Sequence, residues 1–269
     1  MTEAPKIEWL AQELLGLLGT DRQVVPFSHR YLHFDLWHAY EIVSRVDDLR
    51  RARGESPVGR KIGFTNRSIW GDLGISAPVW NFIYDSTVRS GQSRFLMTGM
   101  PEPRIEPELV LHLAKSPALG MTTSDLFECV DWVAPGFEVV YSIFPNWVFS
   151  AADAAAAYGV HGALFIGGKL DVGRSRAVRL AEVSSFIVEL KSDRGSSRVG
   201  HAHDVLGGPL EALKYLVEEI ARYPSCQPLR AGELVTTGTL TEAMPARSGE
   251  TWTVRFQGIN LTPLQLGFD

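Results

Sequence analysis

Apolar residues recur at Ile7, Leu10, Leu14, Leu15 and Leu18, a spacing of three and four that predicts a helix over residues 7–19 with one buried face. The same period returns at Leu36, Ala39, Ile42, Val43 and Val46, predicting a second helix that starts after Phe34-Asp35 and ends in the polar run before Gly54. Beyond Gly59 the texture changes. KIGF, NFIYDSTV, RFLM, IEPELVLHL, GFEVVYSIF and GALFIGG read as short strands broken by Gly and Pro. Two further helices are predicted. One covers residues 150–158, where Ser150 and Asp153 form a capping-box pair, and one covers 208–223, with Leu210, Leu213, Leu216, Val217 and Ile220 as its stripe. LVTTGTL, a turn over 245–249, TWTVRF and LTPLQLGF close the chain as strands. The pattern is that of a mixed, β-rich α/β fold, with a small helical N-terminal part at 1–58 and a β-rich body at 59–269.

With 269 residues the chain supports one large domain with a sizeable core. Hydrophobic residues make up 45% and charged residues 21%, which argues against disorder and against a fibrous repeat. The net charge of -5 and the absence of a Lys/Arg block argue against nucleic acid as a partner, because phosphate binding needs clustered positive charge. The densest basic run, DLRRARG at 48–54, reads as a solvated helix end. Cys129 and Cys226 form no CxxC or Cys/His spacing and read as reduced thiols. The first residues lack a basic start and an unbroken apolar core, and nowhere do about 18 apolar residues run together, so neither a leader nor a membrane span is expected. The expected location is the cytoplasm.

The most informative segment is RIEPELVLHL, at 104–113, which alternates as a half-buried strand does. Side chains two apart on a strand share a face, so Glu106 and Glu108 emerge side by side, where they repel each other unless a cation or a shared proton lies between them. Magnesium and manganese prefer carboxylate and water oxygens and keep positions open for a substrate. Glu138, a lone acid in the apolar run GFEVVYSIF, is the candidate third ligand. The spacing alone also fits two glutamates pointing outward from a surface strand.

These two segments resemble the fumarylacetoacetate hydrolase superfamily, in its 2-keto-4-pentenoate hydratase and 4-oxalocrotonate decarboxylase branch. The resemblance extends to GRKIGFT at 59–65, similar to a GxKxGxT segment, to Ile83-Tyr84-Asp85, to VLGGPLEAL at 205–213 and to AGELVTTGT at 231–239. It implies a β-roll core, Mg2+ or Mn2+ held by Glu106, Glu108 and Glu138, a homo-oligomer, and an option of complexing with a pathway partner. It also implies a small keto or dienol acid that chelates the ion and reacts through an enolate. By the same match Lys61 binds the oxyanion or moves a proton, Asp85 acts as acid/base or orienting group, and Gly167, Gly168 and Thr239 bind the substrate carboxylate.

The chain departs from that pattern at two places. Where many hydratases of the branch carry an Asn-Ala-Ser-like segment, this chain reads Tyr158-Gly159-Val160-His161, which makes His161 a candidate to activate water in place of a serine, set against a histidine simply packed at a strand start. His201, His203 and Asp204 precede VLGGPL; no third ligand of zinc spacing accompanies the two histidines, so the segment reads as a solvated or substrate-selecting loop rather than a second metal site. Trp70, Trp80, Phe82 and Trp147 are candidates for an apolar pocket around a longer substrate tail, against the commoner role of core residues. The leading reading is a lyase that hydrates a 2-hydroxy-2,4-dienoate to a 4-hydroxy-2-keto acid. Decarboxylation of a 2-keto diacid, C–C hydrolysis of an acylpyruvate, and a non-catalytic partner subunit remain as alternatives.

Overall fold

A computed structural model describes residues 5–269. The helical part comprises α1 (Ile7–Leu17), α2 (Phe27–Arg30) and α3 (Leu36–Ala52). Then follow β1 (Pro57–Gly63), α4 (Trp70–Leu73), β2 (Val79–Tyr84), β3 (Val88–Ser90), β4 (Arg94–Phe95), β5 (Arg104–Leu113), α5 (Thr123–Phe127), β6 (Val130–Val140), α6 (Ala151–Ala156), β7 (His161–Ile166) and β8 (Leu170–Asp171). The chain closes with α7 (Arg176–Ser185), β9 (Ile187–Ser192), β10 (Ser197–His201), α8 (Pro209–Ile220), β11 (Leu234–Thr236), β12 (Met244–Pro245), β13 (Thr251–Gln257) and β14 (Leu264–Phe268).

Two curled sheets carry this α/β fold. The larger runs β2-β1-β11-β5-β6-β7-β3, with β12 beside β5 and β8 beside β6; the smaller runs β10-β9-β13-β14-β4. The centre of the larger sheet is the antiparallel pair β5·β6, in which Glu106 lies opposite Glu138 and Glu108 opposite Gly136. On its other side β5 takes β11 antiparallel, and β11 takes β1 parallel with Lys61 beside Thr236. The three expected glutamates and Lys61 therefore stand on neighbouring central strands.

One apolar core joins the N-terminal helices to the larger sheet: Tyr40 of α3 stacks on Trp80 of β2 at 4.8 Å, and Phe27 of α2 meets Phe144 edge-on at 5.6 Å. Truncating a buried aromatic of this kind costs about 3–5 kcal/mol. Ser150 and Asp153 make the expected capping box, and Asp153 also accepts from the Ser28 backbone N–H at 3.0 Å, tying α6 to α2. The run at 48–54 is less solvated than its charge predicts. Arg50 is buried, with its guanidinium 3.7 Å from the centre of the Tyr84 ring. The expected strand at 81–88 breaks at Asp85, where a 3-10 turn (Asp85–Thr87) separates β2 from β3. Among the described residues no helix is long and apolar enough to cross a membrane.

Candidate metal centre and active site

The alternation of β5 directs Glu106 and Glu108 to one face, and the register of β6 brings Glu138 to the same point. Ligand oxygens of the three residues lie within 4.8 Å of one another. Glu108 and Glu138 are fully buried and Glu106 half-buried, opening into a cavity of about 580 Å³. Glu108 Oε2 accepts the Gly238 N–H at 2.9 Å and Glu138 Oε1 lies 2.7 Å from His161 Nδ1, whereas Glu108 Oε1 and Glu138 Oε2 have no hydrogen-bond partner. Buried carboxylate oxygens left unpaired are costly, and three such groups converging on one point fit the oxygen donor set of a hard divalent cation.

The charges in the cluster push its members apart. Burial raises Glu106 to about 7 against the pull of Lys61, and burial together with the charge of Glu138 drives Glu108 well above the carboxylate range. Burial also works to raise Glu138, yet the positive charge of Lys61 and the hydrogen bond from His161 outweigh it and hold the group down to about 2. Lys61 is buried; burial alone would lower its pKa, but Glu138, Glu106 and Glu108 hold it above the usual lysine range. Its Nζ donates to Gly159 O at 2.9 Å and stands 3.5 Å from Glu138 Oε1. Two glycines make this geometry possible. A Cβ on Gly159 would lie 2.8 Å from Lys61 Cδ, and one on Gly238, whose φ is +99°, would lie 2.3 Å from Thr65 Oγ1.

Lys61, Glu106 and Thr239 line the cavity; the Thr239 hydroxyl donates to Thr241 O at 2.9 Å and keeps lone pairs for a ligand. Other expected residues lie elsewhere. Asp85 is exposed, and its carboxylate accepts from the backbone N–H groups of Ser56 and Ser86. Lys61 pairs with Asn81, so Asp85 is four residues, or about 13 Å, further along the strand. It caps a turn away from this cluster. Gly167 and Gly168 are outside the cavity wall, beyond the end of β7, and the Gly167 N–H is already given to Pro135 O at 2.9 Å. They turn the chain toward β8. His161 is buried with both ring nitrogens engaged, Nδ1 with Glu138 and Nε2 with Thr87 Oγ1 at 2.9 Å, so it positions Glu138 and does not line the cavity. The cavity wall at this place is Val160.

Of the aromatic candidates only Trp147 lines the cavity. Trp80 and Phe82 are core residues, and Trp70 packs edge-on against Tyr215. Asp204, from the loop read as solvated or substrate-selecting, also lines it, as do Arg104, Phe64, Ile69, Val79, Phe149, Leu240 and Glu242, which sequence reasoning missed in that role. Arg104 carried a signal, since it precedes Glu106 by two and shares its face. His201, His203 and Asp204 cluster on the surface, all exposed, where a strand end meets a 3-10 turn (Ala202–Asp204).

The site is a carboxylate triad with a lysine at a cavity, carried on two curled mixed sheets. No protein-family model matches the sequence. It is 26% identical over 268 residues, 98% of this chain and 99% of the relative, to 2-hydroxyhexa-2,4-dienoate hydratase of Comamonas testosteroni. To 2-keto-4-pentenoate hydratase of Paraburkholderia phymatum it is 27% identical over 260 residues, covering 96% and 97%. The fold matches that of 4-oxalocrotonate decarboxylase from Pseudomonas putida G7, complexed with magnesium and adipate, with a TM-score of 0.88 and 22% identity over 98% of this chain and 97% of the other. Over nearly its whole length the chain is thus similar in sequence to hydratases of 2-hydroxy-2,4-dienoates and 2-keto-4-pentenoate, and it shares its fold with 4-oxalocrotonate decarboxylase.

Proposed function

We propose that the protein is a metal-dependent hydro-lyase that converts a 2-hydroxy-2,4-dienoate into a 4-hydroxy-2-keto acid. The observation that carries the reading is the convergence of Glu106, Glu108 and Glu138, two of them with orphaned oxygens, beside Lys61 at the floor of a cavity. Glu106, Glu108 and Glu138 would hold Mg2+ or Mn2+, which supplies Lewis-acid polarisation of the substrate's 2-oxygen.

The rest of the chemistry falls to residues of the chain. Ketonisation moves a proton from the 2-hydroxyl to C5 of the diene, and water then adds its hydroxyl at C4 and a proton at C3. Lys61, held charged by three carboxylates, stabilises negative charge developing at the 2-oxygen, and with its pKa held above the usual lysine range it keeps its proton as it does so. Arg104 faces the same cavity and offers a guanidinium to the substrate carboxylate, while Thr239 presents a hydroxyl oxygen. His161 fixes Glu138 and acts through it. His161 does not line the cavity, which speaks against direct water activation by it, and the intact triad speaks against a non-catalytic partner subunit.

Exposed Trp9, Leu32 and Trp37 on the N-terminal helical part support self-association into a homo-oligomer, and two unpaired thiols, Cys129 and Cys226, support a cytoplasmic location. The test is turnover of 2-hydroxypenta-2,4-dienoate with Mg2+ or Mn2+, followed by loss of the dienol absorbance and by product identification. Formation of 4-hydroxy-2-oxopentanoate that disappears in Glu106→Gln supports the reading; an inert dienoate in the presence of bound metal rejects it.

A further inference from the structure

We infer that the cavity above Glu106 selects monocarboxylic 2-keto or dienol acids with a bulky apolar tail, alkyl or aryl, over short acids and over diacids. The inference rests on the reading above, in which the acid end of the substrate lies at the glutamate cluster. Sites of about 300–1,000 Å³ enclose whole drug-sized ligands, so a five-carbon acid leaves most of this 580 Å³ cavity unfilled. Its walls beyond Lys61 and Glu106 are largely apolar, formed by Phe64, Ile69, Val79, Trp147, Phe149 and Leu240. Trp147 is fixed as one wall: its indole N–H donates to Glu102 O at 3.1 Å, and the Arg104 guanidinium lies 4.2 Å from its ring centre.

Charge excludes a second carboxylate. Three ionised glutamates are balanced by Lys61 and a divalent ion, and the substrate's own carboxylate is matched by Arg104, which shares a face of β5 with Glu106. The other charged side chains on the cavity wall are the anions Asp204 and Glu242, and the nearby Arg198 is already paired with Glu242 at 3.0 Å. A tail carboxylate would meet like charge and leave no cation to pair with, whereas an apolar tail gains with every methylene it buries.

The experiment is calorimetric titration of the Mg2+-loaded protein with 2-oxopentanoate, 2-oxohexanoate, 2-oxooctanoate, 2-oxo-6-phenylhexanoate and 2-oxohexanedioate. The Kd is expected to fall by about fourfold per added methylene, the fold-change that burying a CH2 supplies, with the phenyl acid among the tightest and 2-oxohexanedioate weaker than 2-oxohexanoate. Trp147→Ala is expected to flatten the dependence on length. A flat or inverted length series, or a diacid that binds more tightly than 2-oxohexanoate, overturns the inference and leaves the proposed reaction standing. Binding of Mg2+ without binding of any 2-oxo acid removes the functional reading itself, and this inference with it.

Discussion

His161 and Glu138 form a fully buried pair, with the imidazole Nδ1 2.7 Å from a carboxylate oxygen that also lies 3.5 Å from Lys61 Nζ. A histidine so placed orients a ligand. Removing a group of this kind typically weakens metal binding about 10- to 100-fold, whereas removing a general base costs about 10²–10⁴ in rate. His161→Ala is therefore expected to raise the metal Kd by about 10–100-fold and to leave kcat at saturating Mg2+ within a few-fold of wild type, with His161→Gln partly restoring affinity. A kcat loss of a hundredfold or more at saturating metal would return the histidine to direct catalysis.

The cluster also sets a pH dependence for the metal-free protein. Glu106 is raised from the model-compound range to about 7, so its contribution to stability is present at low pH and is lost as pH rises toward and through 7. Glu138 is lowered to about 2, so its contribution is present above the usual carboxylate range and is lost as pH falls toward 2. Between about pH 5 and 8 the first effect dominates, and metal-free protein is expected to melt at lower temperature at pH 8 than at pH 5.5. Mg2+ should raise Tm more at pH 8, where fewer protons have to leave the carboxylates for it to bind. Thermal melts with and without Mg2+ at both pH values check this, and an equal Mg2+ effect at both contradicts it.

Gly238 joins a strained turn to a ligand: its φ of +99° disfavours any side chain, a Cβ would collide with Thr65, and its N–H supports Glu108. Gly238→Ala is expected to destabilise the fold by more than about 1 kcal/mol and to weaken metal binding as well. Denaturant unfolding and metal titration of this variant read the two effects separately.

The thiol of Cys226 is buried and its pKa is pushed up to about 11, first by burial. Because the folded-state value is raised, native stability contributed by the neutral thiol is lost as pH rises from about 9 through 11. In the native protein at pH 8, Cys226 is expected to react with a thiol reagent at least ten times more slowly than after unfolding in guanidinium.

The meeting of the three carboxylates was legible because a strand's period of two fixes which side chains share a face, so RIEPELVLHL sets Glu106 beside Glu108, and a lone Glu138 in an apolar run needs a partner. The helices α1, α3, α6 and α8 were legible from apolar spacing or a capping pair, while the short α2, α4 and α5 carry too few residues to show a period. The direction of His161 was hidden. It depends on a register shift between Val139 and Val140, where β6 and β7 pair irregularly, and nothing local marks that shift. Where Asp85 and the Gly167-Gly168 pair lie was not legible, because a match in sequence order says nothing about distance along a strand, and that distance carries Asp85 away from Lys61. The cavity walls were hidden too, since Ile69, Phe149 and Leu240 come from three separate segments whose meeting is a matter of tertiary packing. Segment α7 to β10 escaped because its polar helix and strands lack a clean period.

If Glu106, Glu108 and Glu138 hold one divalent ion, titration of the metal-free protein with Mn2+, read by the loss of free-ion electron paramagnetic resonance signal, reveals it without any substrate. One Mn2+ per chain in wild type, weakened at least a hundredfold in Glu108→Gln while that variant keeps its fold by circular dichroism, is the predicted result. Mn2+ that binds Glu108→Gln as tightly as wild type, or fails to bind wild type, contradicts the account.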